Sequence, residues 1–253
     1  MDKIVYIDYS DNNPKDKTLC SNCKGYGDDK KKTKTFSDGF HDVTFKAIDN
    51  GIVFDFKTVE FMIDSKGPKI SKTAPKKNSY TNGSNFYIKY TEDNCQFLYL
   101  SVYGVNSSFG SAESCQSGIN IEKEISMDLS SFRGQEIGYQ FSVSDVAGNT
   151  KESKLTKVKV DVVSPSISNL QTSISGNHVY FNITILNEDK NTFDKVEYFD
   201  VSDSNPKWKT LCNSLNGVCY KKVTFSEGDH DLTVRALDNA GNSATQNVVF
   251  TIA

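Results

Sequence analysis

Apolar and polar residues alternate with a period of two in several stretches of this chain, and one such stretch recurs three times. In Gly228-Asp-His-Asp-Leu-Thr-Val-Arg-Ala-Leu-Asp238, Leu232, Val234 and Ala236 fall on one side, and Thr233, Arg235 and Leu237 on the other. The same pattern turns Val43, Phe45 and Ala47 inward after Gly39-Phe-His41, and Tyr139, Phe141 and Val143 inward after Gly138. A period of two is that of a half-buried strand. Each run ends in turn chemistry: Asp238-Asn-Ala-Gly-Asn242, Asp145-Val-Ala-Gly-Asn149 and Asp49-Asn50, where Gly and Asn tolerate positive φ. A second alternating run follows each turn, carried by Val59, Phe61, Ile63, by Val158, Val160, Val162 and by Val248, Phe250, Ile252. The pattern therefore predicts a β-hairpin closing each of three modules. Further strands are expected over 85–90, 97–103, 179–185 (Val179, Phe181, Ile183 and Ile185 inward) and 196–200. No helical period persists, and β-branched and aromatic residues are plentiful, so the chain is expected to be all-β.

The repeats set the boundaries. Tyr6-Ile-Asp8-Tyr-Ser-Asp11-Asn-Asn13-Pro14-Lys-Asp-Lys-Thr18-Leu-Cys20 matches Tyr198-Phe-Asp200-Val-Ser-Asp203-Ser-Asn205-Pro206-Lys-Trp-Lys-Thr210-Leu-Cys212 without a gap. Asp64-Ser-Lys-Gly-Pro68 and Asp161-Val-Val-Ser-Pro165 each place a proline between a final strand and the next opening one. Modules are expected at 1–64, 65–163 and 164–253, stacked end to end with limited swing. The third has a strand-bearing stretch, 164–195, ahead of the matched region, and the first has almost nothing there. The first module is thus expected to lack its opening strands. Two origins are foreseen: the chain is cut from a longer repeat protein, or a neighbouring subunit donates the strands. The second module departs most from the repeat, lacking both the Ser-Asp-x-Asn-Pro turn and the Gly-x-His.

The composition narrows the class. The 253 residues are 37% hydrophobic and 24% charged, a globular balance with room for more than one core. Net charge is −3 with both signs interspersed, including the run at 24–34, which leaves no basic face for nucleic acid. No apolar run is long enough to span a bilayer. Met1-Asp-Lys leads directly into strand-like residues, so either a longer precursor was cut or the protein is cytosolic. The six cysteines favour the first. They fall two per module and close in sequence: Cys20 with Cys23, Cys95 with Cys115, Cys212 with Cys219. Local even pairing of this kind points to disulfides in an oxidising compartment. The rivals are zinc, which needs two short-spaced pairs where only Cys20–Cys23 has knuckle spacing, and a redox-active Cys-x-x-Cys, which usually opens a helix after a strand.

The motif Gly-x-His-x-Leu-Thr-Val-x-Ala-x-Asp-x-Ala-Gly-Asn, closing a module that starts with a Pro, resembles the immunoglobulin-like repeats of bacterial and archaeal surface proteins. It is strongest in the third module and partial in the second. The resemblance implies tandem immunoglobulin-like β-sandwiches of seven strands, extracellular placement at the cell surface, a structural or adhesive role and no catalysis. An S-layer, an extracellular filament or an adhesin stalk fits it, with other copies of the chain or adjoining modules of a longer surface protein as partners. The alternatives are an adhesin or glycan-binding module, and an accessory, non-catalytic region of a secreted enzyme.

Candidate chemistry is sparse. His41 and His230 share a repeat position at a strand start, but no nucleophile motif accompanies them, and a side chain bonding a turn explains them better. No cofactor is required by the sequence, and calcium is the one metal candidate. Asp8 and Asp11, repeated as Asp200 and Asp203, offer alternating oxygen ligands, although the same residues are good turn formers. Asn82, Asn106 and Asn182 stand in Asn-x-Ser/Thr acceptor sequences for glycosylation. Trp208, the single Trp, and Tyr103 are the aromatic candidates for sugar contact. No enzyme site is expected.

Overall fold

The computed structural model describes residues 1–23, 32–105, 107–214 and 218–253. It is built of strands, joined by turns and one short 3-10 turn at Ser130–Phe132. The third module is the complete repeat. Strands β14 (Ser166–Ser175), β15 (His178–Leu186) and β18 (Val218–Thr224) form one antiparallel sheet. Strands β17 (Lys209–Cys212), β16 (Phe193–Asp200), β19 (Gly228–Asp238) and β20 (Ser243–Ile252) form the other, in that order. The alternation explains why two sheets result. Val179, Phe181 and Ile183 on β15 are fully buried, as are Val196 on β16 and Leu232, Val234 and Ala236 on β19. Together they make one core, with Phe181, Tyr198 and Phe225 in mutual ring contact.

The second module is a sandwich of the same kind with a longer second sheet. Strands β5 (Lys69–Ala74), β7 (Phe86–Glu92) and β10 (Gly118–Ile125) pair antiparallel. Facing them are β6 (Tyr80–Thr81), β13 (Thr156–Val160), β11 (Glu136–Asp145), β8 (Cys95–Tyr103) and β9 (Ser108–Glu113), with β12 (Thr150–Glu152) added on β11. The expected inward residues Tyr139, Phe141 and Val143 are fully buried, beside Phe86, Ile88, Tyr90, Leu98 and Leu100. The Tyr139 hydroxyl donates to the Pro75 carbonyl at 2.6 Å, which gives the buried phenol its partner.

The first module is half of this architecture. Strands β2 (Lys17–Ser21), β1 (Lys3–Asp8), β3 (Gly39–Asp49) and β4 (Ile52–Ile63) form one antiparallel sheet in that order. They correspond to β17, β16, β19 and β20. Among the described residues no second sheet lies across them. Val59, expected to face a core, is 38% exposed, and β4 also leaves Phe54 and Phe56 at 59% and 70%. The expected inward direction of Val59 and Phe61 is therefore only partly realised, because nothing stands opposite. The turn differs too. Asp49 pairs with Ile52, so Asn50 and Gly51 form a two-residue hairpin loop, both at positive φ (50° and 78°). That is the Asn-Gly turn matching the twist of paired strands, and it replaces the longer Asp-x-Ala-Gly-Asn loop of the other modules.

Candidate functional site at the module joints

The Asp-x-Ala-Gly-Asn loops do more than turn the chain. In the third module Asp238 Oδ1 accepts the backbone N–H groups of Ala240 and Asn242 at 2.9 and 2.7 Å. Gly241 has φ of 92°, a conformation open to Gly. This tight loop aims the Asn242 amide at the linker entering the module. Its Nδ2 donates to the carbonyls of Asp161 and Val163 at 2.9 and 3.4 Å, and to Asp238 Oδ2 at 2.7 Å. Asn82, from the second module, donates its own Nδ2 to Asn242 Oδ1 at 3.1 Å.

The second module repeats the device. Asp145 Oδ1 accepts from Ala147 and Asn149 at 2.9 and 2.8 Å, and Asn149 Nδ2 donates to the Asp64 carbonyl at 2.9 Å and to Asp145 Oδ2 at 2.8 Å. Asn94 Nδ2 donates to Asp64 Oδ2 at 2.7 Å. The second and third modules thus grip their incoming linkers through the loop asparagine, joined in the second by Asn94, while the linker prolines Pro68 and Pro165 are buried. Hydrogen bonds that cross a linker remove rotations the linker would otherwise have.

The histidines form a second repeated feature. His41 Nδ1 lies 2.5 Å from Asp8 Oδ2 and its Nε2 lies 2.8 Å from the Ser37 carbonyl. His230 makes the same pair of contacts, 2.6 Å to Asp200 Oδ2 and 3.0 Å to the Ser226 carbonyl. A carbonyl and a carboxylate only accept, so both ring nitrogens donate and the ring is an imidazolium. The Ser37 carbonyl and Asp8 accordingly raise the His41 pKa against the effect of burial. At His230 burial pulls downward, but the Ser226 carbonyl and Asp200 outweigh it and the pKa is again raised. Burial would lift the Asp8 pKa, yet bonds from His41 and Ser10 hold it below its ordinary value. Rings so engaged have no lone pair to offer as a general base. They pin the start of β3 and β19 to the ends of β1 and β16.

The remaining candidates separate. Asp11 and Asp203 pair with Lys17 and Lys209, each at 2.6 Å, so all four repeat aspartates proposed for calcium hold cationic side chains. The cysteines pair locally, Cys20–Cys23, Cys95–Cys115 and Cys212–Cys219, with Cα separations of 5.9, 5.7 and 5.9 Å. Cys95 opens β8 and Cys115 follows the end of β9, so the bridge closes the open end of the β8–β9 hairpin. Trp208 is sandwiched by Phe199 and by the Arg235 guanidinium, 4.0 Å from the ring centre, and Arg235 is in turn bonded to Glu197. Tyr103 lies in another module and shares no cavity with it among the described residues. Asn182 faces outward on β15, Asn82 is engaged at the joint, and Asn106 lies outside the described residues. Sequence reasoning took Asp145, Asn149, Asp238 and Asn242 as turn formers alone. Their second role was written in the aspartate four residues before each linker proline, Asp64 and Asp161.

No family model and no curated protein matches this chain in sequence. Among solved structures it is similar to the fibronectin(III)-like modules of Clostridium thermocellum CbhA, at 15% identity over 73% of this chain and 93% of that one, with a TM-score of 0.40. It is also similar to the FN1–FN3 domains of chicken CNTN1, at 10% identity over 99% and 91%, with a TM-score of 0.47. By its own sheets the protein is all-β, and its second and third modules are immunoglobulin-like sandwiches. Three disulfides, and the lack of any helix among the described residues long and apolar enough to cross a membrane, are compatible with an extracellular location. A fold of this kind leaves function open.

Proposed function

We propose that the protein is a non-catalytic structural component of a prokaryotic cell-surface assembly, an S-layer, filament or adhesin stalk, whose copies join by strand complementation at the first module. The observation that supports this reading is the open sheet of β1 to β4. Its counterpart in the third module is closed by β14, β15 and β18, and Phe225, which follows β18, meets Phe181 of β15 at 6.3 Å and Tyr198 of the facing sheet at 5.6 Å. Phe36 occupies the corresponding place in the first module, touching Tyr6, His41 and Phe61 from its own side only. The occupant this face fits is a strand patterned like Val179–Ile185, and a second copy of this chain carries such a strand. An unpaired edge with exposed Phe54 and Phe56 is costly in water and is relieved by pairing. The clasped linkers support the same reading, since a load-bearing array needs modules that do not swing freely.

Light scattering after size exclusion over a range of concentrations tests this. Mass rising with concentration toward open-ended polymers is the expected result. A monomer at every concentration overturns the assembly reading. Protease shaving of intact source cells tests the location: release of the chain from the cell surface is expected, and full protection overturns it.

A further inference from the structure

Carboxylates come together at both joints. At the first, the carboxylate oxygens of Asp64, Glu92 and Asp145 lie within 4.8 Å of one another. Glu92 is 4% exposed and Asp145 not at all. At the second, Asp161 takes the place of Asp64 before the linker proline, and Asp238 that of Asp145 at the head of its loop. Glu188, just beyond β15, lies one position past Asn187, the register counterpart of Glu92. Among the described residues none of the six is in an ion pair with a lysine or arginine. Like charges packed this closely, away from water, are unfavourable unless something of opposite sign joins them.

A separate observation says what is missing. Both carboxylate oxygens of Glu188 are closed to solvent and have no hydrogen-bond partner; the Thr192 hydroxyl approaches without reaching bonding geometry. A buried carboxylate without a donor is among the costliest groups in a folded protein. The charges that act on Glu188 are those of Asp238, Asp161 and Asp189, all of them carboxylates.

We infer that each joint is a binding site for one hard divalent cation, calcium by its ligand set: Asp64, Glu92 and Asp145 at the first, Asp161, Glu188 and Asp238 at the second. Two oxygens that share a calcium ion at its usual bond length of about 2.4 Å lie no more than about 4.8 Å apart, which is the spread found at the first joint. An all-oxygen set of carboxylates beside linker carbonyls suits calcium, whereas zinc draws on His and Cys, and none of either is in these clusters. The cation would tie residues from before and after each linker into one polyhedron. These sites differ from the repeat aspartates Asp8, Asp11, Asp200 and Asp203, which already hold lysines and histidines. They do not depend on the assembly reading, and a strictly monomeric protein would still bind.

Calorimetric titration of chelator-treated full chain with calcium chloride tests the inference. Two ions per chain are expected, falling to one in Glu92→Gln and in Glu188→Gln, and to none in the double variant. Calcium should raise the thermal unfolding midpoint of the wild type and leave that of the double variant unmoved. In chelator the Gln variants should unfold at or above the wild-type midpoint, because each removes a charge from a repulsive cluster. A merely structural role for the carboxylates predicts the opposite sign. No heat and no shift with millimolar calcium on the wild type overturns the inference without recourse to any variant. So does a response that survives intact in the double variant.

Discussion

The first and third modules start from the same sequence motif and end in different states. Both carry the Asp–His pair, the Ser-Asp-x-Asn-Pro turn and the terminal hairpin, and both fold these into the same four-stranded order. In the third module Val196, Val234 and Ala236 are fully buried. Their counterparts Ile4, Phe45 and Ala47 are only half-buried. What differs is the facing sheet. Strand identity and register are local matters of alternation and turn chemistry, whereas burial needs a partner surface that the local motif does not encode.

The largest test of that comparison turns the third module into the first. Phe181→Ala removes the ring that β15 sets against Tyr198 and Phe225. A loss of about 3–5 kcal/mol is expected for truncating a buried phenylalanine, read from the urea midpoint of the third-module transition. The first module, which lacks this contact, should hold its own midpoint. A smaller loss than about 1 kcal/mol would mean that the facing sheet matters less than argued.

The joints come next. Asn242→Ala removes the side-chain donor to the Asp161 carbonyl and to Asp238 Oδ2, and Asn149→Ala that to the Asp64 carbonyl and Asp145 Oδ2. About 1–3 kcal/mol each is expected for stranding such acceptors. Small-angle scattering should show a broader spread of particle lengths, since the linker loses its tether. No counterpart exists in the first module, whose Asn50-Gly51 turn is too short to reach a linker.

A pH series separates the outer modules from the middle one. The raised pKa of His41 and of His230 means that the folded state holds a proton the unfolded chain gives up at about pH 6.5. The stabilisation is full below that pH and is lost as pH rises through the folded value. Asp8, whose pKa is lowered, acts in the other direction: its contribution is present above its ordinary pKa and is lost as pH falls through the folded one. Thermal midpoints between pH 6 and 8 should decline for the first and third modules. The second, which has no such pair, should stay level. A parallel decline of the first module in His41→Gln would remove the assignment; in the third module Glu188, whose pKa burial pushes up to about 7, titrates in the same window as His230.

The smallest effect on stability carries the largest effect on assembly. Val59→Lys lies on the partly open face of β4, so the monomer should change by less than about 1 kcal/mol. Self-association, followed by light scattering, should be lost. Polymers of unchanged mass would move the interface elsewhere.

The sequence alone determined the strands of the hairpins that close the modules, because a period of two and Gly- and Asn-bearing turns act within a few residues. Leu232, Val234, Ala236 and Tyr139, Phe141, Val143 are buried as their alternation requires. The cysteine pairs follow from spacing for the same local reason. The tertiary structure decided the rest. Asp64 meets Asp145 across a long stretch of chain, and the aspartate before the linker proline marks one side of that meeting without naming the other. Glu188 reads as an ordinary acid beside Asp189 until burial strips its carboxylate of partners. Val59 and Val248 stand in the same place in the same repeat. Which of them has a core depends on whether a second sheet is there to cover it.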